Sequence, residues 1–572
     1  MLAAVVALSG CQSILGIEDL STGDGADANP GPSDAASPAP DASGDLIDAM
    51  PPMQPGFSVA LLSSAPSLPL NGTNFLELDI RRVGGFTGEV TVALANMTSG
   101  LVAEPLQVDG DQSNALFPIG ASAPLGLDQT ISFDLTVTAN GLPPATVAVR
   151  DALVTGRPGL LDTTFGTTST GLASVSFGSD DCGRFYDLEL DGDGNILAAG
   201  WGCGGLGGST SALARFLPDG QPDERFSGDG LVRTSYSTGS TAESFQTYAL
   251  GRQVDGRIIA IGGHRGNSSF PPELALVRYS TSGGIGDPFF GNYDIGKSRI
   301  SLGPDATANE RILDGLVTSD SRILAVGDVD DRLVVARATT TGDLDTSFAS
   351  PTGFYTLELN QVSQAQEIIQ DAQGRLLIAG FVESGAGDFD MVLVRLLEDG
   401  TPDSTFGTGG VVVTGSSVES ERAAAVAVRP DGRIVLAGDV ESAGRTRNLQ
   451  IRQLLADGSP DLNFGNMGVR SHAIGDQDVQ ATDMIVTPDG RILMIGNRIS
   501  GTDRGPVVAR FTRAGDLDTT FDNDGILPLF IGEVGAIETI TLQGNNKVLI
   551  SGGNEGGSPG PGTEGIVVRL WI

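Results

Sequence analysis

Short apolar runs separated by turn residues repeat along most of the chain. Residues 429–438 form a turn at Pro-Asp-Gly that leads into an apolar run and stops at a glycine. Counting this copy, seven such phrases end at a closing glycine, and these are Gly200, Gly262, Gly327, Gly380, Gly438, Gly496 and Gly552. Successive closing glycines lie 53 to 65 residues apart by subtraction of their numbers. A repeat of this length predicts equivalent units that bury their apolar faces against each other.

Two further marks repeat in step with the closing glycines. An arginine closes an apolar run in each unit: Arg215, Arg278, Arg337, Arg395, Arg452, Arg510 and Arg569. An Asp-x-x-Phe motif follows most of them and begins at Asp223, Asp287, Asp345, Asp403, Asp461 and Asp518. The short spacing predicts a bidentate Arg–carboxylate pair that pins each strand turn. Repetition in every unit favours this structural role over a ring of ligand-binding charges.

Each unit contains four short apolar runs with Gly and Asp turns between them, which predicts an antiparallel meander. No segment keeps a helical period. The predicted fold is therefore all-β, with a seven-bladed β-propeller as its largest part. The last unit lacks a fourth run, but an Asp-x-x-Phe at Asp162 and a run at residues 172–177 precede the first unit. We expect this segment to complete the last unit and close the ring; the alternative is an open solenoid.

The repeat resembles the bacterial delta-60 repeat family of propellers over about residues 158–572. The third unit departs most from the pattern, because Ser319-Asp320-Ser321-Arg322 replaces Asp-Gly-Arg. That family is defined by its repeat and not by an activity. The resemblance therefore implies a propeller fold and no particular reaction.

The N-terminus resembles that of a bacterial lipoprotein. Residues 1–10 are apolar and end in Leu8-Ser9-Gly10, directly before Cys11, which resembles a lipobox. The resemblance implies that residues 1–10 are a signal-peptide remnant and that Cys11 carries lipid, at the outer membrane or cell surface. The alternative is an apolar N-terminus with an incidental cysteine. Residues 11–56 are predicted to be a disordered acidic linker, since residues 18–56 contain no Lys, Arg or aromatic residue.

Residues 57–157 alternate apolar and polar positions without the repeat marks, as in Phe75–Ile80. About seven such runs predict a small β-sandwich. The phrase at residues 82–92 resembles bacterial Ig-like modules, although the Cys and Trp residues of antibody domains are absent. We expect a spacer between the linker and a propeller at residues 158–572.

Composition narrows the function classes. The net charge of −37 argues against nucleic-acid partners and anionic membrane surfaces. There are two histidines, His264 and His472, and no catalytic motif stands out, so no catalytic residue is predicted. The leading hypothesis is a monomeric scaffold that binds a protein or glycan, with unusual loops between the second and third runs of several units as candidates. The alternative is a hydrolase or lyase acting on a carbohydrate or lactone through acidic residues at the central channel.

Two smaller motifs also lie in the first unit. Residues 191–195, Asp-Gly-Asp-Gly-Asn, resemble the start of a calcium loop, but Gly202 stands where such a loop needs Glu. A turn is therefore expected, and no metal or cofactor other than Ca²⁺ is suggested. Cys182 and Cys203 would face each other if the hairpin turn were centred between Gly192 and Asp193, which predicts a disulfide. Two free thiols are the alternative.

Overall fold

The computed structural model describes residues 54–572 apart from short gaps. The gaps are residues 63–66, 71–73, 96–98, 111, 123–124, 126, 128, 168–169, 177–182, 204–208, 236–243, 266–271, 286, 304–307, 360, 386, 417–418, 443–445, 500–504, 530–534, 545 and 554–564. The described residues form strands and turns and no α-helix. In this part of the chain no helix is long and apolar enough to cross a membrane. Cys11, the predicted lipidation site, lies outside the described residues.

Residues 56–155 form two sheets that share one apolar core. The strands are β1 (Gly56–Leu61), β2 (Ser67–Pro69), β3 (Asn74–Val83), β4 (Val90–Leu94), β5 (Leu101–Val102), β6 (Leu106–Val108), β7 (Asn114–Ala121), β8 (Thr130–Thr138) and β9 (Ala145–Thr155). One sheet has the order β1-β3-β7-β5 and the other β2-β9-β8-β4-β6, with β2 parallel to β9. Leu76 and Phe117 of the first sheet and Val92 and Leu135 of the second are fully buried in the same core. Alternating positions thus place one face of each strand inside.

The strands after residue 170 form four-stranded antiparallel meanders, which we number as units from the first strand of each. Units one and seven are joined into one eight-stranded sheet, where Arg184 pairs with Gly553. Unit one is β11 (Gly183–Leu190), β12 (Ile196–Cys203), β13 (Ser209–Phe216) and β14 (Leu231–Thr234); unit two is β15 (Ser244–Arg252), β16 (Ile258–Arg265), β17 (Glu273–Tyr279) and β18 (Lys297–Ile300). Unit three is β19 (Glu310–Val317), β20 (Ile323–Val329), β21 (Arg332–Ala338) and β22 (Phe354–Thr356); unit four is β23 (Ser363–Gln370), β24 (Leu376–Gly385), β25 (Asp388–Leu396) and β26 (Val411–Thr414).

The later units follow the same plan. Unit five is β27 (Ser420–Val428), β28 (Ile434–Glu441), β29 (Arg447–Leu454) and β30 (Val469–His472); unit six is β31 (Val479–Val486), β32 (Ile492–Arg498), β33 (Gly505–Phe511) and β34 (Ile526–Pro528). Unit seven contains β35 (Ala536–Gln543), β36 (Lys547–Gly553) and β37 (Gly565–Trp571), and its fourth strand is β10 (Leu172–Val175).

The first strands of the units lie side by side in chain order, and the first strand of unit seven, β35, contacts that of unit one, β11. They therefore form a closed ring around a central axis. Each apolar cluster of the ring is built from two adjacent units, as where Ile261 of unit two packs with Ile312 of unit three. Burial between units is the main apolar stabilisation, since a single meander cannot cover its own faces.

The segment that precedes unit one in the chain meets the third strand of unit seven. Strand β10 pairs antiparallel with β37, with Ala173 opposite Val567. The amide of Asp162 donates to the carbonyl of Arg569 at 2.9 Å. Burial alone would raise the pKa of Asp162, but the Thr164 hydroxyl, Arg569 and Lys547 hold that pKa below its ordinary value. The segment before the first unit thus supplies the last unit with its fourth strand and its Asp-x-x-Phe motif.

A turn of unit seven is formed from two separate stretches of chain. In unit one the amide of Gly220 donates to the carbonyl of Leu217 at 2.9 Å, a tight turn after the third strand. In unit seven the amide of Gly159 donates to the carbonyl of Trp571 at 3.0 Å. A Cβ on Gly156 would lie 2.1 Å from the Trp571 indole, so the chain leaving β9 packs directly on the ring. The sandwich is therefore joined at the end of the ring that carries the turns after the first and third strands.

In the third unit a two-residue turn forms the shortened loop between the second and third strands. Asp330 and Asp331 connect β20 to β21 and have φ of 47° and 63°. Positive φ at both central residues is the geometry that matches the twist of a hairpin. Ser321 replaces the usual turn glycine of the preceding hairpin and also adopts a positive φ, 69°. The departures noted in the sequence thus alter turns and leave the four strands in place.

We predict that the ring depends on strand β10. Ala173 is buried against unit one, whereas the neighbouring Ser174 is half-buried on the other face of the strand. Ala173→Glu should lower the free energy of unfolding by on the order of 3 kcal/mol, because it buries an unpaired charge. Ser174→Glu is the matched control and should change it much less. A chain lacking residues 160–177 should aggregate or melt much earlier; an unchanged Tm in thermal unfolding would contradict this closure.

Candidate functional site

The closing glycines are required by a close approach of two backbones. A Cβ on Gly200 would lie 1.8 Å from the carbonyl oxygen of Arg184, and one on Gly438 would lie 1.9 Å from that of Arg422. The other closing glycines have a backbone atom at 1.8 to 2.5 Å. Each of these contacts lies beside a β-bulge in the first strand, as between Phe185 and Asp187. Only glycine fits at such a site, so the repeated glycine marks a repeated bulge.

The bulges turn one residue per unit toward the central axis. These seven bulge residues are Tyr186, Tyr248, Leu313, Gln366, Ala424, Thr482 and Glu538. All seven line a cavity of about 230 Å³ on the axis, which we call the central cavity. The residues after the bulges add Asp187, Asp314, Glu367, Asp483 and Thr539 to its wall.

The central cavity therefore holds a ring of carboxylates that cap backbone N–H groups. The first strand of each unit is the edge of its meander, although in unit one it also pairs at Arg184 with Gly553 of unit seven. At the bulge this strand leaves an N–H group directed to the axis. Asp187 accepts N–H bonds from Leu188 and from Leu250 of the next unit, each at 2.7 Å. Asp483 caps Met484 at 2.6 Å and Ile540 of the next unit at 2.9 Å.

The two remaining carboxylates complete the set. Asp314 accepts from Gly315 and, at 2.8 Å, from Ile368 of the next unit. Glu367 caps Val426 of the next unit through Oε2. Four carboxylates thus satisfy the equivalent N–H group in all seven units. Their first role is to hold neighbouring first strands together.

These carboxyl groups are half-buried in a wall where charge is poorly solvated. Burial raises the pKa of Asp187 to about 7, against the N–H bonds from Leu250 and Leu188 that lower it. Burial also raises the pKa of Asp483 to about 6. For Asp314 and Glu367, burial and then the neighbouring ring carboxylates hold the pKa well above its ordinary value. The ring therefore gains protons in the folded chain at pH values where exposed carboxyls are ionised.

One side of the central cavity differs from the rest. The rings of Tyr186 and Tyr248 lie 4.9 Å apart and are tilted by 49°. Glu538 forms an ion pair with Arg184, whose guanidinium also lies 5.9 Å from the Tyr186 ring centre. Units seven, one and two thus supply aromatic faces and an ion pair. The opposite wall has no aromatic side chain among the described residues and is formed by Leu313, Gln366, Ala424 and Thr482 together with the carboxylates of units three, four and six.

A metal site is not evident in this geometry. Among the described residues no group of three or more His, Cys, Asp or Glu side chains is arranged to hold a metal ion. In the loop that resembles a calcium loop, Asp191 accepts bonds from the amides of Asp193 and Asn195 and from the Asn195 side chain. These bonds describe a hairpin turn closed by its first aspartate.

Most of the repeated arginines pair with the repeated aspartates. The Arg–Asp pairs with their N–O distances are Arg215–Asp223 (2.8 Å), Arg278–Asp287 (2.5 Å), Arg337–Asp345 (2.9 Å), Arg395–Asp403 (2.8 Å), Arg510–Asp518 (3.0 Å) and Arg569–Asp162 (2.9 Å). In units one to four each arginine donates a single N–H to its aspartate, so the expected bidentate geometry is not formed there. A second N–H of most of these arginines donates to the next unit. In unit four, for example, Arg395 Nη1 donates to the carbonyl of Ala456 at 2.6 Å.

The phenylalanine of each motif completes the same cluster. The Arg395 guanidinium lies 4.2 Å from the centre of the Phe406 ring, within cation–π range. A Cβ on Gly458 of the next unit would lie 2.9 Å from that ring, so the ring fills the space under the neighbouring turn. In unit five the arginine of the Asp-Gly-Arg turn also belongs to this cluster, since Arg433 pairs with Asp461 at 2.8 Å. The repeated marks therefore describe one packed cluster per unit.

Unit five departs from the expected pairing of Arg452 with Asp461. Arg452 instead pairs with the buried Glu421, and Gln453 donates to Asp461 at 2.8 Å. The strand pairing explains this exchange. Gln453 is paired with Val435 of the second strand, and in unit four the residue paired with the equivalent Leu377 is Arg395. Gln453 thus occupies the arginine position. The lost contact to the next unit is made by Arg429, which donates to the carbonyl of Arg513 at 3.1 Å.

The predicted disulfide stays a prediction. Next to the turn, Leu190 faces Ile196, one residue away from the expected register, and the bulge then brings Gly183 opposite Gly202 as expected. Cys182 lies outside the described residues, and of Cys203 the structure describes the backbone at the end of β12. Much of the unusual loops after the second strands also falls in the gaps. The two histidines lie apart, with His472 Nε2 bonded to the Gly515 carbonyl at 2.7 Å.

The central-cavity residues were not predicted from the sequence, although a signal for them exists. The ring carboxylates occupy the position thirteen residues before the closing glycine, where the other units have Ala249, Ala425 and Thr539. The bulge residues stand one position earlier. Alignment of the units on their glycines would reveal an acidic column that changes from unit to unit.

Comparison with known proteins supports the repeat. The family model described as "Domain of unknown function (DUF5122) beta-propeller" matches residues 192–226, 318–348, 373–406, 429–464 and 487–521. Each matched segment runs from the turn after the first strand to the Asp-x-x-Phe motif, so it covers the cluster described above. A search of curated proteins gives no match.

Several solved structures match this chain at low identity and low TM-score. A protein of unknown function from Dyadobacter fermentans is 13% identical, with a TM-score of 0.37, over 70% of this chain and 98% of that chain. The polysaccharide lyase Uly1 is 10% identical, with a TM-score of 0.42, over 68% and 90%. The Hadza microbial sialidase Hz136 is 9% identical, with a TM-score of 0.33, over 90% and 99%. These likenesses carry no argument about what this chain binds or does.

We predict that Arg429 and Gln453 compensate for each other. Arg429→Gln alone should cost about 2 kcal/mol of unfolding free energy, because charged hydrogen bonds to the next unit are lost. Adding Gln453→Arg should recover most of this loss. Units two and seven already have glutamine at the position equivalent to Arg429 and arginine at the position equivalent to Gln453. A double-mutant cycle by denaturant unfolding measures the coupling. Additive losses would show that the two positions do not share a role.

Proposed function

The chain carries β-propeller repeats, and we propose that it is an exported, lipid-anchored protein of the cell envelope that uses a seven-bladed propeller to bind a protein or glycan ligand. In this proposal Cys11 carries the lipid and residues 11–56 are the tether. The two-sheet domain is an Ig-like spacer. The lipobox-like Leu-Ser-Gly-Cys and the acidic composition that follows it support the anchor.

The central cavity is the proposed binding site because it is where the repeat breaks its symmetry. The closing glycines and most Arg–Asp pairs recur in the units as parts of the scaffold. The seven bulge residues differ, from two tyrosines to Leu313, Gln366 and Ala424. Scaffold positions repeat because the ring needs them, whereas a ligand needs particular groups at particular places. This variation on the axis is the observation that carries the proposal.

The cavity suggests what part of a ligand would enter it. Its volume of about 230 Å³ is below that of pockets for drug-sized molecules, about 300–1,000 Å³. We infer that it takes one end of a larger ligand, such as a terminal sugar or a side chain. The tyrosine faces and the polar Gln366 and Thr482 suit a group that has both apolar and hydrogen-bonding surfaces.

Binding is favoured over catalysis because the ring carboxylates are used as caps. Each of them accepts a backbone N–H bond, so moving one toward a substrate would uncap a strand edge. A second candidate is an enzyme acting on a carbohydrate or lactone, and the raised pKa values of Asp187 and Asp483 favour it, since such shifts are common at catalytic acids and bases. Turnover abolished by Asp187→Asn and Asp483→Asn, with binding retained, would support that candidate.

The position of the spacer supports an exposed binding end. The chain enters the ring at the end that carries the turns after the first and third strands, where Gly159 bonds Trp571. Because the strands of a meander alternate in direction, the loops after the second strands lie at the opposite end. The point where the spacer joins the ring and these loops therefore lie at opposite ends of the ring.

We predict that filling the central cavity blocks ligand binding. Ala424 lines the cavity, and Ala424→Gln should weaken binding of a ligand found by thermal-shift screening of envelope glycans and peptides by about tenfold or more. Ala427→Gln is the matched control, since Ala427 lies on the same strand, half-buried and outside the cavity lining. Isothermal titration measures both affinities. A ligand whose affinity is the same for both variants and the wild type binds elsewhere.

We predict that Cys11→Ser releases the protein from membranes. In wild-type cells the protein should fractionate with the envelope, and mass spectrometry of its N-terminal peptide should show a lipid on Cys11. The serine variant should appear in the soluble fraction, because the anchor is lost. An unmodified Cys11 in the membrane fraction would exclude lipidation as the anchor.

A further inference from the structure

Glu367 differs from the other ring carboxylates in how its oxygens are used. Asp187 and Asp483 accept backbone N–H bonds through both oxygens. Glu367 caps Val426 through Oε2 alone, and it is the one glutamate at this column of the repeat. Its longer side chain places the carboxyl group in the wall of the central cavity, where it reaches the next unit without capping the amide after its own.

The surroundings of Glu367 are negatively charged. The charges that act most strongly on it come from Asp483, Asp314 and Asp187, carried by units six, three and one. Gln366 and Thr482, which also line the cavity, are neutral. Among the described residues that line the central cavity there is no Lys or Arg. An ionised Glu367 is therefore repelled from several sides and is compensated by one N–H bond.

We propose that Glu367 is a proton-binding group of the propeller, and that the ring is more stable with this carboxyl group protonated than ionised. A proton on Oε1 removes the repulsion and leaves Oε2 as an acceptor for the amide of Val426. The same proton on Asp187 would weaken one of its two caps, because a hydroxyl oxygen is a poorer acceptor. Glu367 can thus change charge without opening the strand edge that it closes.

The direction of the pH dependence follows from linkage. The pKa of Glu367 is raised in the folded chain by burial and by Asp483 and Asp314, relative to an ordinary glutamate in the unfolded chain. Between these two pKa values the folded chain binds more protons than the unfolded chain. The stabilisation is therefore complete below the unfolded pKa and is lost as pH rises through the folded pKa. Asp187 and Asp483, whose pKa values are raised to about 7 and about 6, add to the same trend.

The test is thermal unfolding of the full chain between about pH 4.5 and about pH 8. The wild type should lose Tm as pH rises in this range. Glu367→Gln imitates the protonated form, since its amide oxygen can still accept from Val426. Its Tm should therefore be close to that of the wild type at about pH 4.5, exceed it by a growing amount toward about pH 8 and show a shallower pH slope. Asp193→Asn, which removes an exposed carboxylate from a turn, is the control and should run parallel to the wild type.

One result would overturn the proposal. It is a Glu367→Gln variant whose Tm differs from that of the wild type by the same amount at every pH, so that the two pH slopes are equal, which would mean a purely structural role. If Glu367→Gln does not fold, Asp314→Asn decides, because it removes a neighbouring charge and keeps an acceptor for Ile368. It should move the midpoint of the carboxyl C=O infrared titration to lower pH; an unchanged midpoint would count against the proposal.

Discussion

A close approach of two backbones at the closing glycines determines much of this ring. At Gly200 and its six equivalents the neighbouring carbonyl leaves no room for a Cβ, and the first strand bulges beside it. The bulge directs one residue to the axis and places the following residue at the strand edge. Carboxylates at that position then cap N–H groups of their own and the next unit. The acidic wall of the central cavity is thus a consequence of how the first strands are closed, and its charge is stabilised by N–H bonds between units.

A second network holds the outer parts of the units together. A buried arginine pairs with an aspartate of its own unit, lies on the phenylalanine of the same motif and donates to a carbonyl of the next unit, as Arg395 does. Removal of one partner would leave a buried charge uncompensated, which is costly. Unit five retains the network with exchanged residues, because Arg429 replaces the contact that Gln453 cannot make. The interaction therefore depends on where the cation lies and less on which strand carries it.

The sequence was sufficient to predict the strands, the turns and the origin of the last unit's fourth strand, because these follow from apolar runs and from Gly and Asp turns. Ring closure was read from a missing Asp-x-x-Phe motif and its copy at Asp162. The pairing of Arg452 was predicted wrongly because its nine-residue spacing to Asp461 equals that of Arg278 to Asp287. The bulges could not be predicted, since they arise from contacts between two strands and not from any one residue type. Because the bulges were not predicted, the acidic residues thirteen positions before the closing glycines could not be placed at the axis.

Hydrogen exchange followed by mass spectrometry tests the central claim, that the segment before the first unit is an integral strand of the last one. Peptides that cover Leu172–Val175 and Gly565–Trp571 should be protected to the same extent and should exchange in one cooperative step under mild denaturant. Shared protection is expected because Ala173 and Val567 are paired and buried in one apolar cluster. Rapid exchange of the first peptide, with the second still protected, would contradict the closed ring and with it the proposed propeller.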